Sequence, residues 1–166
     1  MDNDFISQLH QLLGQSCWGY VGGIPTGSII SLDFGQKVKR NQKINNKHLT
    51  TDQQHYVGQF SLMIWCAWRL DEGDTVICGW NDSNEINGPM LNGLDKLVNR
   101  LVKAVKVEKP AYDLMLQFED ELYLKIFCDQ TDTKESFGNY TYFVEGYNYR
   151  VEAKGQITKA ESKNRL

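Results

Sequence analysis

Three histidines, His10, His48 and His55, are the first residues with acid–base chemistry to offer. A histidine does catalytic work when a nucleophile or a second orienting group stands within its reach. No serine or cysteine here sits in an elbow or triad motif that would supply one. The four cysteines, Cys17, Cys66, Cys78 and Cys128, form no C-x-x-C pair, and no histidine lies at zinc-ligand spacing from them. Each lies in an apolar run, where a free cysteine packs as a small hydrophobe, and this points to a reducing, cytoplasmic setting. Two loops, "DSNEING" (Asp82–Gly88) and "DQTDTKE" (Asp129–Glu135), place oxygen ligands at alternate positions as calcium loops do. Both lack the sixth-position glycine and the closing glutamate of such a loop, so they read as turns. The expectation is therefore a protein without catalytic residues, metal or cofactor.

Charge and aromatic residues suggest binding instead. Between Leu70 and Asp95 lie the acids Asp71, Glu72, Asp74, Asp82, Glu85 and Asp95, with no lysine or arginine among them. Trp68 and Trp80 flank the same stretch. An acidic rim around tryptophan suits a basic protein partner, because charge steers the encounter and the indoles anchor it. The expected protein-binding set is Trp68, Asp71, Glu72, Asp74, Trp80, Asp82 and Glu85. A net charge of -3 argues against a nucleic-acid partner. The basic stretch holding Lys37, Lys39, Arg40, Lys43 and Lys47 has no interleaved aromatics for base stacking and reads as a solvated loop.

The elements that must position these residues are mostly strands. At 166 residues, with 41% hydrophobic and 11% aromatic side chains, the chain is long enough to bury a core without disulfides. Phe5, Leu9, Leu12 and Leu13 recur at helical spacing after a candidate cap at Asp2 or Asn3. "SIISLDFG" alternates as a strand, and residues 36–58 read as a long inserted surface loop. "FSLMIWCAWRL" (Phe60–Leu70) is too short and too charged to span a bilayer, so no membrane segment is expected. It reads as one strand in a hairpin with "TVICGW", with Phe60, Leu62, Ile64, Cys66, Trp68 and Leu70 on a core face. A second helix is expected near Leu91, Leu94, Leu97 and Val98, followed by strands "DLMLQF" and "LYLKIFC". A hairpin turning at Glu145-Gly146 follows them, and residues 158–166 read as a flexible tail.

The chain also echoes itself. Ile30, Leu32 and Phe34 align with Leu114, Leu116 and Phe118 at a shift of 84 residues. Leu62, Ile64, Trp65 and Cys66 align with Leu124, Ile126, Phe127 and Cys128 at a shift of 62. The expected architecture is α+β: antiparallel meanders from two duplicated units, about 5–80 and 90–157, sharing one core in a single domain over 1–157, with one or two short helices. Trp65 and Phe127 occupy the opposite, mixed face. That makes them candidates for an apolar ligand pocket or for homodimer contact.

The segments "SIISLDFG", "FSLMIWCAWRL" with "VICGWND", and "LDKLVNRLVKAVKVEKPAYDLMLQFEDELYLKIF" resemble small bacterial proteins of the immunity type found in polymorphic toxin systems. The resemblance implies a non-enzymatic cytoplasmic protein that binds and blocks a toxin. A small-ligand-binding domain with a pocket near Trp65 and Phe127 is the alternative.

Overall fold

The computed structural model describes residues 1–132 and 137–162. Part of the "DQTDTKE" loop and the last four residues of the expected tail lie outside the described residues. The fold is α+β, with short helices on an antiparallel sheet.

Helix α1 (Asp2–Leu9) and the turn that follows bury Phe5, Leu9 and Leu12, as their spacing predicts, whereas Leu13, past the end of that turn, is exposed. Asp2 and Asp4 lie in its first turn, where acids favour the helix dipole, but no side chain caps it. Instead the Asp2 carboxylate accepts from the Tyr112 hydroxyl and the Lys109 ammonium. Three strands form the first meander: β1 (Ser16–Gly23), β2 (Gly27–Lys39) and β3 (Tyr56–Ile64).

The expected long loop at 36–58 gives its two ends to these strands, residues 36–39 to β2 and 56–58 to β3, while residues 40–50 form neither helix nor strand. Lys37, Val38 and Lys39 pair with Gly58, Val57 and Tyr56. Helix α2 (Thr51–His55) begins on a capping box in which Thr50 and Gln53 satisfy each other's backbone N–H groups. Pairing of strand backbones needs no apolar alternation, which is why a polar extension escapes a hydrophobicity reading. Gly58 is required where this extension meets the core. A Cβ there would collide with Phe60 O and lie 2.7 Å from Phe34 N. The buried Asp33 carboxylate accepts from the Gly58 N–H at 3.0 Å and from the Ser61 hydroxyl.

The run Phe60–Leu70 is not one strand. It ends β3 at Ile64, turns at Trp65-Cys66, and starts β4 (Ala67–Glu72) in the other half of the sheet. β4 does form the expected hairpin with β5 (Thr75–Gly79). Helix α3 (Pro89–Asp95) buries Met90 and Leu94, with Leu97 beyond its end. It is followed by β6 (Arg100–Glu108), β7 (Asp113–Phe118), β8 (Leu122–Phe127), β9 (Tyr140–Val144) and β10 (Tyr147–Val151). The expected tail contributes β11 (Ile157–Glu161), which pairs along β10. An outer strand needs only its backbone and a solvated side, so its polar sequence is no obstacle.

The strand order is β11-β10-β9-β3-β2-β1-β6-β7-β8-β4-β5. The sheet is nearly divided at its middle, because β1 and β6 pair only at Ser16–Leu101 and Cys17–Arg100. Around this joint the sheet curls so that its halves face each other. The rings of Phe34 and Phe118 stack at 6.3 Å although two strands separate β2 from β7 in the order. The Trp68 indole N–H likewise reaches Ser28 O at 3.0 Å from β4. The six even-numbered residues from Phe60 to Leu70 are all buried in this core.

Each half of the chain runs helix, three-stranded meander, hairpin, but the hairpins are exchanged. β4 and β5 follow β3 in sequence and pair onto β8, while β9 and β10 follow β8 and pair onto β3. Each of the expected units, 5–80 and 90–157, therefore contributes strands to both halves of the sheet. Local alternation carries no information about which distant strand a hairpin joins.

Asn139 ties this exchange together. It is fully buried, and its carbonyl accepts from the N–H groups of both Trp65 and Cys66, at 2.9 and 3.1 Å. Its side-chain oxygen accepts from Gln130 N–H and its amide donates to Glu152 O, both at 3.0 Å. Replacing Asn139 by Ala leaves Gln130 N–H and Glu152 O, both half-buried, without their partner. The expected loss is about 2–4 kcal/mol of unfolding free energy in chemical denaturation. Asn45→Ala, at an exposed loop position, is expected to change it by less than about 0.5 kcal/mol.

Candidate functional site

β5 is an outer strand of the sheet, and its exposed face carries the most prominent apolar surface near the expected acidic set. A register shift between Leu70–Cys78 and Asp71–Val76 bulges β5. The bulge buries Cys78 against α3 but sends Val76 to the outer side beside Asp71. Val76 is 60% exposed and Trp80 is 43% exposed. With Phe127, at 37%, they line an open hollow of about 340 Å³ whose floor includes Ala67 and Gly79. The Arg69 guanidinium lies 5.7 Å from the Phe127 ring and closes one side.

The expected acids divide into two groups, and of them only Asp82 lines this hollow. Asp71 is buried and bridges two cations, Arg69 at 2.8 Å and Lys125 at 2.7 Å. Glu72 pairs with Lys96 at 2.8 Å. These two hold strands and α3 together and have little charge left for a partner. Asp74, Asp82 and Glu85 are exposed and make no ion pair among the described residues. Asp82 accepts from Gly79 N–H at 2.8 Å, which fixes the loop that presents Trp80. Trp68 leaves the surface set altogether: it is 1% exposed and packs in the core. Its even-numbered position on the core face of the run was the signal for that. Exposed Val76 and Ile86, by contrast, had no such signal, because the bulge that turns Val76 outward depends on pairing with β4.

Trp65 and Phe127 both face outward, but they do not line one pocket. Trp65 is covered by the Arg150 guanidinium at 5.5 Å, whereas Phe127 meets Arg69 in the hollow beside β5. The mixed face is thus dressed by arginine side chains from neighbouring strands. Three of the hairpin tyrosines, Tyr140, Tyr142 and Tyr149, are core residues with satisfied hydroxyls, and only Tyr147 is exposed.

A second site lies where β1 and β6 part. Beyond Cys17, β1 is no longer paired with β6, and a cavity of about 660 Å³ opens between α2 and α3. Its floor is Trp18 to Gly22, and its walls include His48, Gln53, Leu91 and Asp95. The Trp18 indole nitrogen is buried without a hydrogen-bond partner. The Tyr20 hydroxyl donates to Asp95 at 2.7 Å, and burial together with that bond raises the Tyr20 phenol above its ordinary value. Sequence reasoning misses this cavity, because its α2 wall falls in the stretch 36–58 that reads as a loop. The capping-box spacing of Thr50 and Gln53 was the available signal.

Among the described residues, no three His, Cys, Asp or Glu side chains gather as a metal site. No helix of the described residues is long and apolar enough to cross a membrane. No protein family, curated protein or solved structure matches this chain.

Burial raises the Asp71 carboxyl, but hydrogen bonds from Arg69 and Lys125 outweigh it and hold the group below its ordinary range. A carboxyl depressed in the folded state adds stability above its unfolded pKa of about 3.9 and loses it as pH falls through the folded value. Asp71→Asn is therefore expected to be less stable than the parent at neutral pH. The gap should narrow as pH drops below about 4, as measured by thermal melts across pH.

Proposed function

We propose that this protein is a non-catalytic binding protein, an immunity-type inhibitor that docks a basic protein partner on the outer face of β5. The observation that carries this reading is the apolar hollow of Val76, Trp80 and Phe127, lined also by Asp82, with exposed Asp74 and Glu85 in the loops before and after β5. Trp80 is the anchor: it is half-exposed, its backbone N–H is fixed to Trp68 O at 2.9 Å, and its loop is held by Asp82. An indole presented on a fixed backbone loses little freedom on binding, which is the property of a hot-spot residue. The acids supply the complementary field for a basic surface. The repeated order of helix, meander and hairpin supports the companion reading that the two halves descend from one unit.

The test is capture of the product of the adjacent reading frame, co-expressed with the tagged protein, followed by titration of the purified pair. Trp80→Ala is expected to weaken binding by about 30-fold or more, the effect of losing a hot spot. Asp74→Lys with Glu85→Lys is expected to slow association and flatten its salt dependence. Unchanged affinity in all of these variants would overturn the assignment of the surface.

A small-ligand reading is favoured at the β1 cavity by one observation, a 660 Å³ space lined by Trp18, Tyr20, Leu91 and Asp95. A ligand there would pack against Trp18 and shift its fluorescence. Screening a metabolite panel by thermal shift is expected to give a hit that Trp18→Phe abolishes. No shift across the panel, with a clean unliganded mass from native spectrometry, would remove this reading.

A further inference from the structure

Cys66 and Cys128 belong to the two turns where the chain leaves one meander for the other half of the sheet. The β4–β8 register pairs Trp68 with Ile126 and Ala67 with Phe127. Continued by one residue, it sets Cys66 directly opposite Cys128. Neither backbone N–H is spent on the other strand: Cys66 donates to Asn139 O at 3.1 Å and Cys128 to Asp113 Oδ1 at 2.6 Å. That is the pattern of a non-hydrogen-bonded antiparallel pair, in which facing Cα atoms approach to about 4.5 Å. Disulfides span Cα separations of about 4.4–6.8 Å, so the backbone need not move far to be bridged. The Cys128 thiol is a neighbour of the Cys66 thiol and reaches Tyr112 O at 3.5 Å. Cys66 is buried, while Cys128 is partly exposed and gives an oxidant its point of entry. Cys17 and Cys78 are buried and bond only to backbone carbonyls, Gly19 O and Met90 O.

We propose that Cys66 and Cys128 form a redox modification site, a cross-strand thiol pair that closes to a disulfide in exchange with a low-molecular-weight disulfide such as oxidised glutathione. The Cys128 thiolate attacks one glutathione sulfur, forms a mixed disulfide and releases one glutathione thiolate. The Cys66 thiolate then attacks the Cys128 sulfur, forms the internal bond and releases the second glutathione. Two electrons pass from the protein thiols to the oxidant, and their two protons end on the two glutathione thiols. The closed bridge would tie together the two crossovers on which the hairpin exchange depends, across a separation of 62 residues. Constraint over a loop of that length acts mainly on the unfolded chain, so the oxidised protein is the more stable form.

Only the thiolate attacks, and contact with Cys66 followed by burial holds the Cys128 thiol well above its ordinary value. Closure is therefore slow at neutral pH and accelerates as pH rises.

The experiment incubates the folded, full-length protein with oxidised glutathione at neutral and mildly alkaline pH. Remaining thiols are then alkylated under denaturing conditions, and intact mass and peptide maps are read. The expected product retains two alkylatable thiols, Cys17 and Cys78, and yields a linked Cys66–Cys128 peptide. It forms faster at the higher pH and melts at a higher temperature than the reduced protein. Cys66→Ser is expected to stop at a glutathione adduct on Cys128. Cys128→Ser should leave Cys66 unmodified. Four alkylatable thiols after prolonged oxidation of the parent protein, or a linked peptide containing Cys17 or Cys78 instead, would overturn the proposal whether or not the variants fold.

Discussion

The chain crosses twice between the halves of its sheet, and the buried backbone at those crossings has to be hydrogen-bonded by something other than a regular ladder. Asn139 meets that requirement. Its carbonyl takes the N–H groups of Trp65 and Cys66 at the first crossing, and its own N–H donates to Val151 O at 2.7 Å on β10. Unpaired backbone groups in an interior cost as much as lost hydrogen bonds, so an alternative path for either crossing would have to replace all of these partners. The entry to β9 and the exit from β3 are thus fixed against each other. The exchange of hairpins, the curl of the sheet and the facing of Phe34 on Phe118 follow from that arrangement.

The ends of the sheet are treated differently. β11 carries Lys159, which pairs with Asp4 at 3.0 Å and lies over the rings of Tyr147 and Tyr149. Charge of this kind discourages edge-to-edge association. β5 instead presents Val76 and Trp80 beside acids that lack counter-ions among the described residues. Nearby cations are spent inward: Arg69 and Lys125 on Asp71, and Lys96 on Glu72. The contrast between a defended edge and an apolar, acidic one is the physical basis for the proposal that a partner docks on β5. The division at the β1–β6 joint has a separate consequence, because a sheet that parts between two helices leaves a cavity.

The acidic stretch was legible as a stretch, but its division was not. Asp71 and Glu72 are neighbours of Asp74 in sequence and similar in chemistry. Whether each is neutralised depends on Lys125, from β8, and Lys96, beyond α3. Likewise Trp68 and Trp80 look equivalent until the former is seen to donate to Ser28 from across the core. The cysteine alignment of 66 with 128 was visible as a repeat, while their facing positions come from the pairing of β4 with β8.

By itself the sequence determined the periodic features: the buried face of α1, the even-numbered core residues from Phe60 to Leu70, the turn at Glu145-Gly146 and the predominance of strands. These depend on side-chain alternation along a few consecutive residues, which burial enforces locally. The tertiary structure alone decided which strands meet, that the run Phe60–Leu70 divides between two halves, and that polar residues 36–39, 56–58 and 157–161 join the sheet. Strand pairing is made by backbone groups that every residue carries, so side-chain pattern cannot specify a partner. That choice comes from the long-range packing of the shared core and from the few buried polar groups, Asn139 foremost, that only one topology satisfies.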